Sequence, residues 1–195
     1  MLELALSLCL GIGLSAACGF RIFVPLLGMS VAALSGHLTL SEGFEWIATW
    51  PALGCFLTAT ILEVAAFYVP WIDNALDTIA IPAAFLAGTL ITAAAIGDTS
   101  PLLQWSLAAI AGGGTAGAVQ TGTTLLRGVS STATAGFGNF LVATSELLLS
   151  IVTTVLALVV PIVCVALLAF VGVWLLLFRR QRATAIAGAK EPRTQ

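Results

Sequence analysis

Between Phe140 and Phe178 the chain carries one charge, Glu146, in an otherwise uncharged apolar run. No other feature constrains the fold as tightly. Backbone amides removed from water in such a run must find partners within the chain, which leaves helices or a closed barrel. A barrel needs alternation with a period of two, and the run has none. The remainder is similar: of 195 residues, 59% are apolar and 8% charged, where a soluble domain carries about 25% charge. Mean hydropathy is +1.10. At ~20 residues per span there is length for about six spans and for no separate soluble domain. The expectation is an all-α fold. It is a polytopic transmembrane helical bundle over residues 1–178, about six spans with broken helices, followed by a basic tail, 179–195.

Glycine, proline and short polar stretches divide the runs. Leu2 to Leu34 would measure ~50 Å as one helix, too long for a ~30 Å hydrocarbon core. Gly19 and Pro25 place a break or strong bend in its middle. Ser35 to Trp50 is the most polar interior loop. Spans over Pro51–Val69 and Ala75–Ile96 follow, the second capped by Asp73 or Asn74. After the turn Gly97-Asp98-Thr99-Ser100-Pro101, a fourth segment runs from Leu102 to Arg127. The uncharged, small-residue stretch Gly128–Asn139 reads as re-entrant or broken. Pro161 divides Phe140–Phe178 into the last two spans.

Arg179, Arg180, Arg182, Lys190 and Arg193 form the basic tail. Lys and Arg beside a span are retained in the cytoplasm, so the tail is expected inside; six spans then bring the N-terminus inside as well. Trp46, Trp50 and Trp105 mark the outer interface in that topology, Trp71 and Trp174 the inner. The basic cluster also suits contact with anionic membrane lipid. A net charge of −2 with no basic patch elsewhere gives nucleic acid no footing. Cys9, Cys18, Cys55 and Cys164 have no paired spacing and read as small buried hydrophobes. Leu14-Ser15-Ala16-Ala17-Cys18-Gly19 has the look of a lipoprotein cleavage site, but Glu3 stands where a positive flank belongs. The first segment is therefore expected to be retained.

Offsetting the chain by one hundred aligns Gly13–Gly36 with Gly113–Gly136, with identities at Gly13, Ala16, Leu26, Gly28, Ser30, Ala33 and Gly36. A carboxylate follows in each half, Glu63 and Glu146. Two related halves, 1–97 and 101–178, would enter the membrane in opposite senses, the inverted 3+3 repeat of many secondary transporters. The competing explanation is composition, since Ala, Gly and Leu match by chance in such a chain.

Ionisable groups inside a bilayer are costly and face a bundle interior or a cavity. Arg21, between Phe20 and Phe23, is expected either to pair with Glu63 or to bind an anionic solute, against snorkelling to the headgroups or a purely structural ion pair. Glu63 is the candidate proton- or cation-coupling group, against a neutral side chain hydrogen-bonded to a neighbouring helix; Glu146 has the same two readings. Asp73 and Asp77, with Asn74 between them, stand one helical turn apart. They would guard a cytoplasmic mouth, hold Mg²⁺ on a diphosphate, or simply favour a helix start. Gly113 and Gly117 are spaced for close helix packing. The glycine run Gly112–Gly117 lacks the lysine of a phosphate loop, and His37 stands alone, so neither a cofactor nor a catalytic dyad is indicated.

Two motifs, Gly19-Phe20-Arg21-x-Phe23-x-Pro25 and Glu63-x-x-x-Phe67-Tyr68-x-Pro70-Trp71-x-Asp73-x-x-x-Asp77, resemble a family of bacterial inner-membrane proteins. That family is catalogued as a domain of unknown function. The resemblance extends to about Phe178. It implies a bacterial cytoplasmic membrane and a shared role for Arg21, Glu63, Asp73 and Asp77, and it supplies no activity. The leading expectation is a small transporter or channel-like carrier of an ion or small anionic solute, with Arg21, Glu63 and Glu146 along the path. A Mg-dependent membrane enzyme acting on a lipid phosphate, with Asp73 and Asp77 as ligands, is one alternative. A non-catalytic membrane scaffold is the other. A chain this short has little bulk to bury two broken helices, so a homo-oligomer is expected.

Overall fold

The computed structural model describes residues 2–67, 69–97, 99–134 and 138–188, with backbone alone at 70–75, 77, 131, 133–134, 175–176 and 178–188. Helices are α1 Leu2–Cys18, α2 Phe23–Leu34, α3 Trp50–Ala66, α4 Pro70–Ala95, α5 Pro101–Leu107, α6 Gly114–Thr134, α7 Asn139–Val159 and α8 Pro161–Gly188. A π-helical turn, Ala108–Gly113, joins α5 and α6 into one rod. No strand occurs among the described residues. Thr78–Ala95, Pro101–Ser130 and Asn139–Val159 are long and apolar enough to cross a membrane, and four shorter apolar helices accompany them.

The break expected near Gly19 is a full reversal. Leu6, Ser7 and Leu10 of α1 line one cavity together with Val31, Ala32 and Ser35 of α2. In a continuous helix Leu6 and Val31 would stand ~37 Å apart. The two helices therefore form a hairpin with residues 19–22 at its tip. Its open end lies on the same face as the loop 35–49 and the α4–α5 turn, where Glu3 lines a second cavity with Ser41, Gly97 and Gln104. Counting α5 to α6 as one rod, seven helical rods follow one another among the described residues, and α8 leads away from this face. The start of α1 and the end of α8 thus belong to opposite faces. The described residues hold one rod more than the six segments expected, and the extra rod comes from the hairpin.

Sequence punctuation sets most boundaries. Thr49 caps α3, accepting from Ala52 N at 3.3 Å, and Pro51 occupies its first turn. Ser100 caps α5 likewise, accepting from Leu103 N, with Pro101 next. Val159 ends α7 and Pro161 opens α8, so the last long run divides where proline predicts. Two expectations change. Helix α4 starts at Pro70 with Val69 at the cap, so Asp73 and Asn74 lie inside its first turns rather than at the cap. Helix α6 continues through Thr134, so Gly128–Thr134 is unbroken helix, and 135–137 of that stretch lie outside the described residues. In the internal echo, the stretch opposite the hairpin tip, 119–122, is likewise continuous helix.

Helix α1 is the axis of the bundle, packing on α4, α6, α7 and α8. Its second half is small-residue and buried: Gly11, Gly13, Leu14, Ser15, Ala16, Ala17 and Cys18. The Ser15 hydroxyl donates to Gly88 O at 2.8 Å and lies 2.9 Å from Thr92 Oγ1. At that level the π turn presses Gly112 against α4, where a Cβ would stand 2.5 Å from Gly88 O. Gly113 packs on Thr89 and Phe85, whereas a Cβ at Gly117 would meet Phe85 at an ordinary 4.0 Å. The close approach is therefore Gly88 with Gly112–Gly113, and the anticipated Gly113/Gly117 pair is half of it. Gly112→Ala is expected to destabilise the protein by ~1–3 kcal/mol through overpacking, while Gly117→Ala stays within ~0.5 kcal/mol of the parent. Denaturation in detergent micelles measures both.

Candidate functional site

A helix reversal leaves carbonyls orphaned at one end and amides at the other. In an apolar bundle no water serves them, so the side chains around the tip must. The α1 end closes on itself: Gly19 N reaches Ser15 O and Ala16 O, and Phe20 N and Arg21 N reach Ala17 O. Ser150 of α7 adds a bond to Ala17 O at 3.0 Å. The α2 end is closed by Glu63 of α3. Its carboxylate accepts Ile22 N on Oε1 at 2.8 Å and Phe23 N on Oε2 at 3.0 Å. A carboxylate on a helix N-terminus also meets the positive end of the helix dipole.

Arg21 points from the tip into the bundle and is 2% exposed. Its Nη2 donates to Ala143 O at 2.8 Å and lies 3.5 Å from Glu146 Oε2. Arg127 of α6, 3% exposed, grips the same carboxylate with two bonds, Nε to Oε1 at 3.0 Å and Nη2 to Oε2. Such a forked pair is among the stronger charge-assisted arrangements. Both guanidiniums also lie over the ring of Phe67, at 3.7 and 4.3 Å from its centroid. Cation–π contact of this kind strengthens where the groups are desolvated. Both are close enough to Glu63 to act on its charge.

The fold thus brings Arg21, Glu63 and Glu146 together, at the tip that Gly19 makes possible. At Gly19 a Cβ would stand 2.7 Å from Ala116 O. Pro25 is buried in the first turn of α2, where a missing amide hydrogen costs nothing. The anticipated direct partnership of Arg21 with Glu63 is rearranged: Arg21 salt-bridges Glu146 across the bundle, and Glu63 binds backbone amides. Arg127 and Phe67 complete the cluster, and sequence reasoning gave neither a role in it. Arg127 was readable as a lone charge closing an apolar segment, and Phe67 as one turn beyond Glu63. The side chains of Asp73, Asn74 and Asp77 lie outside the described residues, as do Lys190 and Arg193. Among the described residues no three His, Cys, Asp or Glu side chains group as metal ligands.

Located ~20 Å along α3 and along α7 from the face bearing the 35–49 loop, the cluster is nearer the opposite face. The two described cavities are elsewhere, flanking the first turns of α1. What the arrangement offers is a set of interchangeable partners: two cations share one carboxylate while a second carboxylate holds a helix end. Removing the shared acid should be costly. Glu146→Gln is expected to destabilise the fold by ~3–5 kcal/mol, as for a broken buried ion pair, and Arg127→Met with Glu146→Leu to recover part of that loss. Unfolding in detergent micelles reads both.

Comparison with known proteins adds a family and no activity. No curated protein matches the chain, and no solved structure does. One family model matches residues 8–181, covering the hairpin, the charge cluster and most of α8. The chain belongs to the family described as Domain of unknown function (DUF4126).

Proposed function

We propose that this protein is a small membrane carrier of an ion or small anionic solute, and that the charge cluster at the hairpin tip is its coupling site. One observation carries the reading: two buried arginines, a buried glutamate and the half-buried Glu63, from four different stretches, gather at a helix reversal inside an apolar bundle. Interrupted helices with ionisable partners are how secondary transporters build solute and ion sites. Residues 1–97 and 101–178 each supply one Arg and one Glu. In the order of the rods, α2, α3 and α4 run opposite in sense to α6, α7 and α8. Both facts support two related halves of inverted orientation.

In this reading the basic end of α8 is cytoplasmic, so the cluster lies toward the cytoplasm of a bacterial inner membrane and the 35–49 loop faces out. Asp73 and Asp77 belong to the cytoplasmic mouth. A proton taken up by Glu63 removes the negative charge from the α2 N-terminus and weakens the tie between α3 and the hairpin tip. Arg21 and Arg127 then exchange partners between Glu146 and a passing anion. A second copy would cover exposed apolar surface on α7 and α8.

The test is flux into proteoliposomes for a panel of small anions and monovalent cations, with and without a pH gradient. At least one solute is expected to move in a proton-dependent manner, and Glu63→Gln to reduce that flux roughly tenfold, the effect of ~1.4 kcal/mol on the rate-limiting barrier. No flux above protein-free vesicles across the panel, or an unaltered pH profile in Glu63→Gln, contradicts the proposal.

A further inference from the structure

The cavity between the hairpin and α7 has a volume of about 720 Å³ and lies well away from the charge cluster. Its walls are apolar, with Leu10, Val31, Val155 and Leu158 among them, and no Asp, Glu, Lys or Arg lines it. Val31 and Val155 are about half exposed, at 50% and 55%, so the cavity is a groove open on the outside of the bundle. Four polar side chains interrupt these walls, Ser7, Thr154, Ser35 and His37, with Thr154 deep in the groove beside Gly28. Ser35 and His37 stand at the end nearest the 35–49 loop, joined by a 3.0 Å contact from His37 Nδ1 to Ser35 Oγ. Trp46 and Trp50, both exposed, mark that same face as the level of the lipid headgroups.

We propose that this groove binds one acyl chain of a bilayer phospholipid, with the lipid's polar head against Ser35 and His37. Several features commit the groove to that occupant. Its opening faces the hydrocarbon, so acyl chains are the molecules at hand. The uncharged walls offer nothing to an ionic solute. The exposed pair Ser35 and His37 at the loop end suits the polar head of an amphiphile whose chain lies along the mostly apolar wall. The volume falls within the ~300–1,000 Å³ of pockets that enclose small ligands, which have the same largely apolar lining and few polar groups. The site is independent of the transport reading and stands or falls without it.

The experiment uses the full chain in phosphatidylcholine vesicles doped with a phospholipid carrying a photoreactive diazirine near the end of one acyl chain. Cross-linked peptides are mapped by mass spectrometry. Label is expected to concentrate on the groove, at Leu10, Val155 and Leu158, roughly tenfold above exposed apolar positions such as Leu86 and Phe170, a preference of ~1.4 kcal/mol. Even labelling of all these positions overturns the proposal. Ala32→Phe, which fills the groove, should abolish the groove label and leave that at Leu86 unchanged; a folded Ala32→Phe protein with undiminished groove label also overturns it. If Ala32→Phe does not fold, His37→Ala in the loop serves instead. It is expected to shift the label along the groove, and an unshifted pattern contradicts the placement of the headgroup.

Discussion

The carboxylate of Glu63, on the amides of Ile22 and Phe23, is the contact on which the rest of this architecture depends. A helix cannot turn back inside an apolar bundle unless the groups exposed by the turn are bonded, because each one left bare costs several kcal/mol. Serine or threonine at the cap would supply one acceptor. Glu63 supplies two and a charge matched to the helix dipole, and it does so from another helix. The bond is therefore tertiary as well as local. It fixes α3 to the hairpin tip, and with it the position of Phe67 and of the two guanidiniums that lie over that ring.

Stability alone does not account for the charges around it. A buried ion pair seldom outperforms well-packed apolar side chains of similar volume, since desolvation offsets most of the Coulomb gain. Arg21, Arg127 and Glu146 could on that ground be replaced together by leucine and methionine. Their arrangement is instead one in which partners can be exchanged: a carboxylate shared by two arginines, a ring under both, and a second carboxylate holding a helix end. Around the cluster the packing is rigid. Ser15, Gly88, Thr92 and Gly112 hold α1, α4 and the π turn at close quarters.

Much of this was legible in the residues. Helical class followed from uncharged runs without alternation, and the starts of α3, α5 and α8 and the end of α7 followed from Pro51, the turn ending at Pro101, and Pro161, where proline acts locally. The location of the break was also readable at Gly19. Its angle was not, because reversal and bend differ only in which distant groups satisfy the tip, and those groups are Glu63 and Ser150, far along the chain. The same reason governs the site. Arg21, Glu63 and Glu146 stood out as charges in apolar surroundings, but which carboxylate meets which cation is decided by helix packing. Arg127 was hidden by its place at the end of a segment that was expected to stop there. The small-residue contact at Gly88 was missed because half of it lies on α4, outside the glycine-rich run that drew attention.

Backbone hydrogen exchange at Ile22 and Phe23, measured by NMR on the protein in lipid nanodiscs, addresses the central contact directly. With Glu63 in place both amides should exchange as slowly as the interior of α1, and in Glu63→Gln these two should accelerate selectively while Leu14 and Ala16 remain protected. Fast exchange at Ile22 and Phe23 in the unmodified protein, or slow exchange that the Glu63→Gln substitution leaves untouched, would contradict the account.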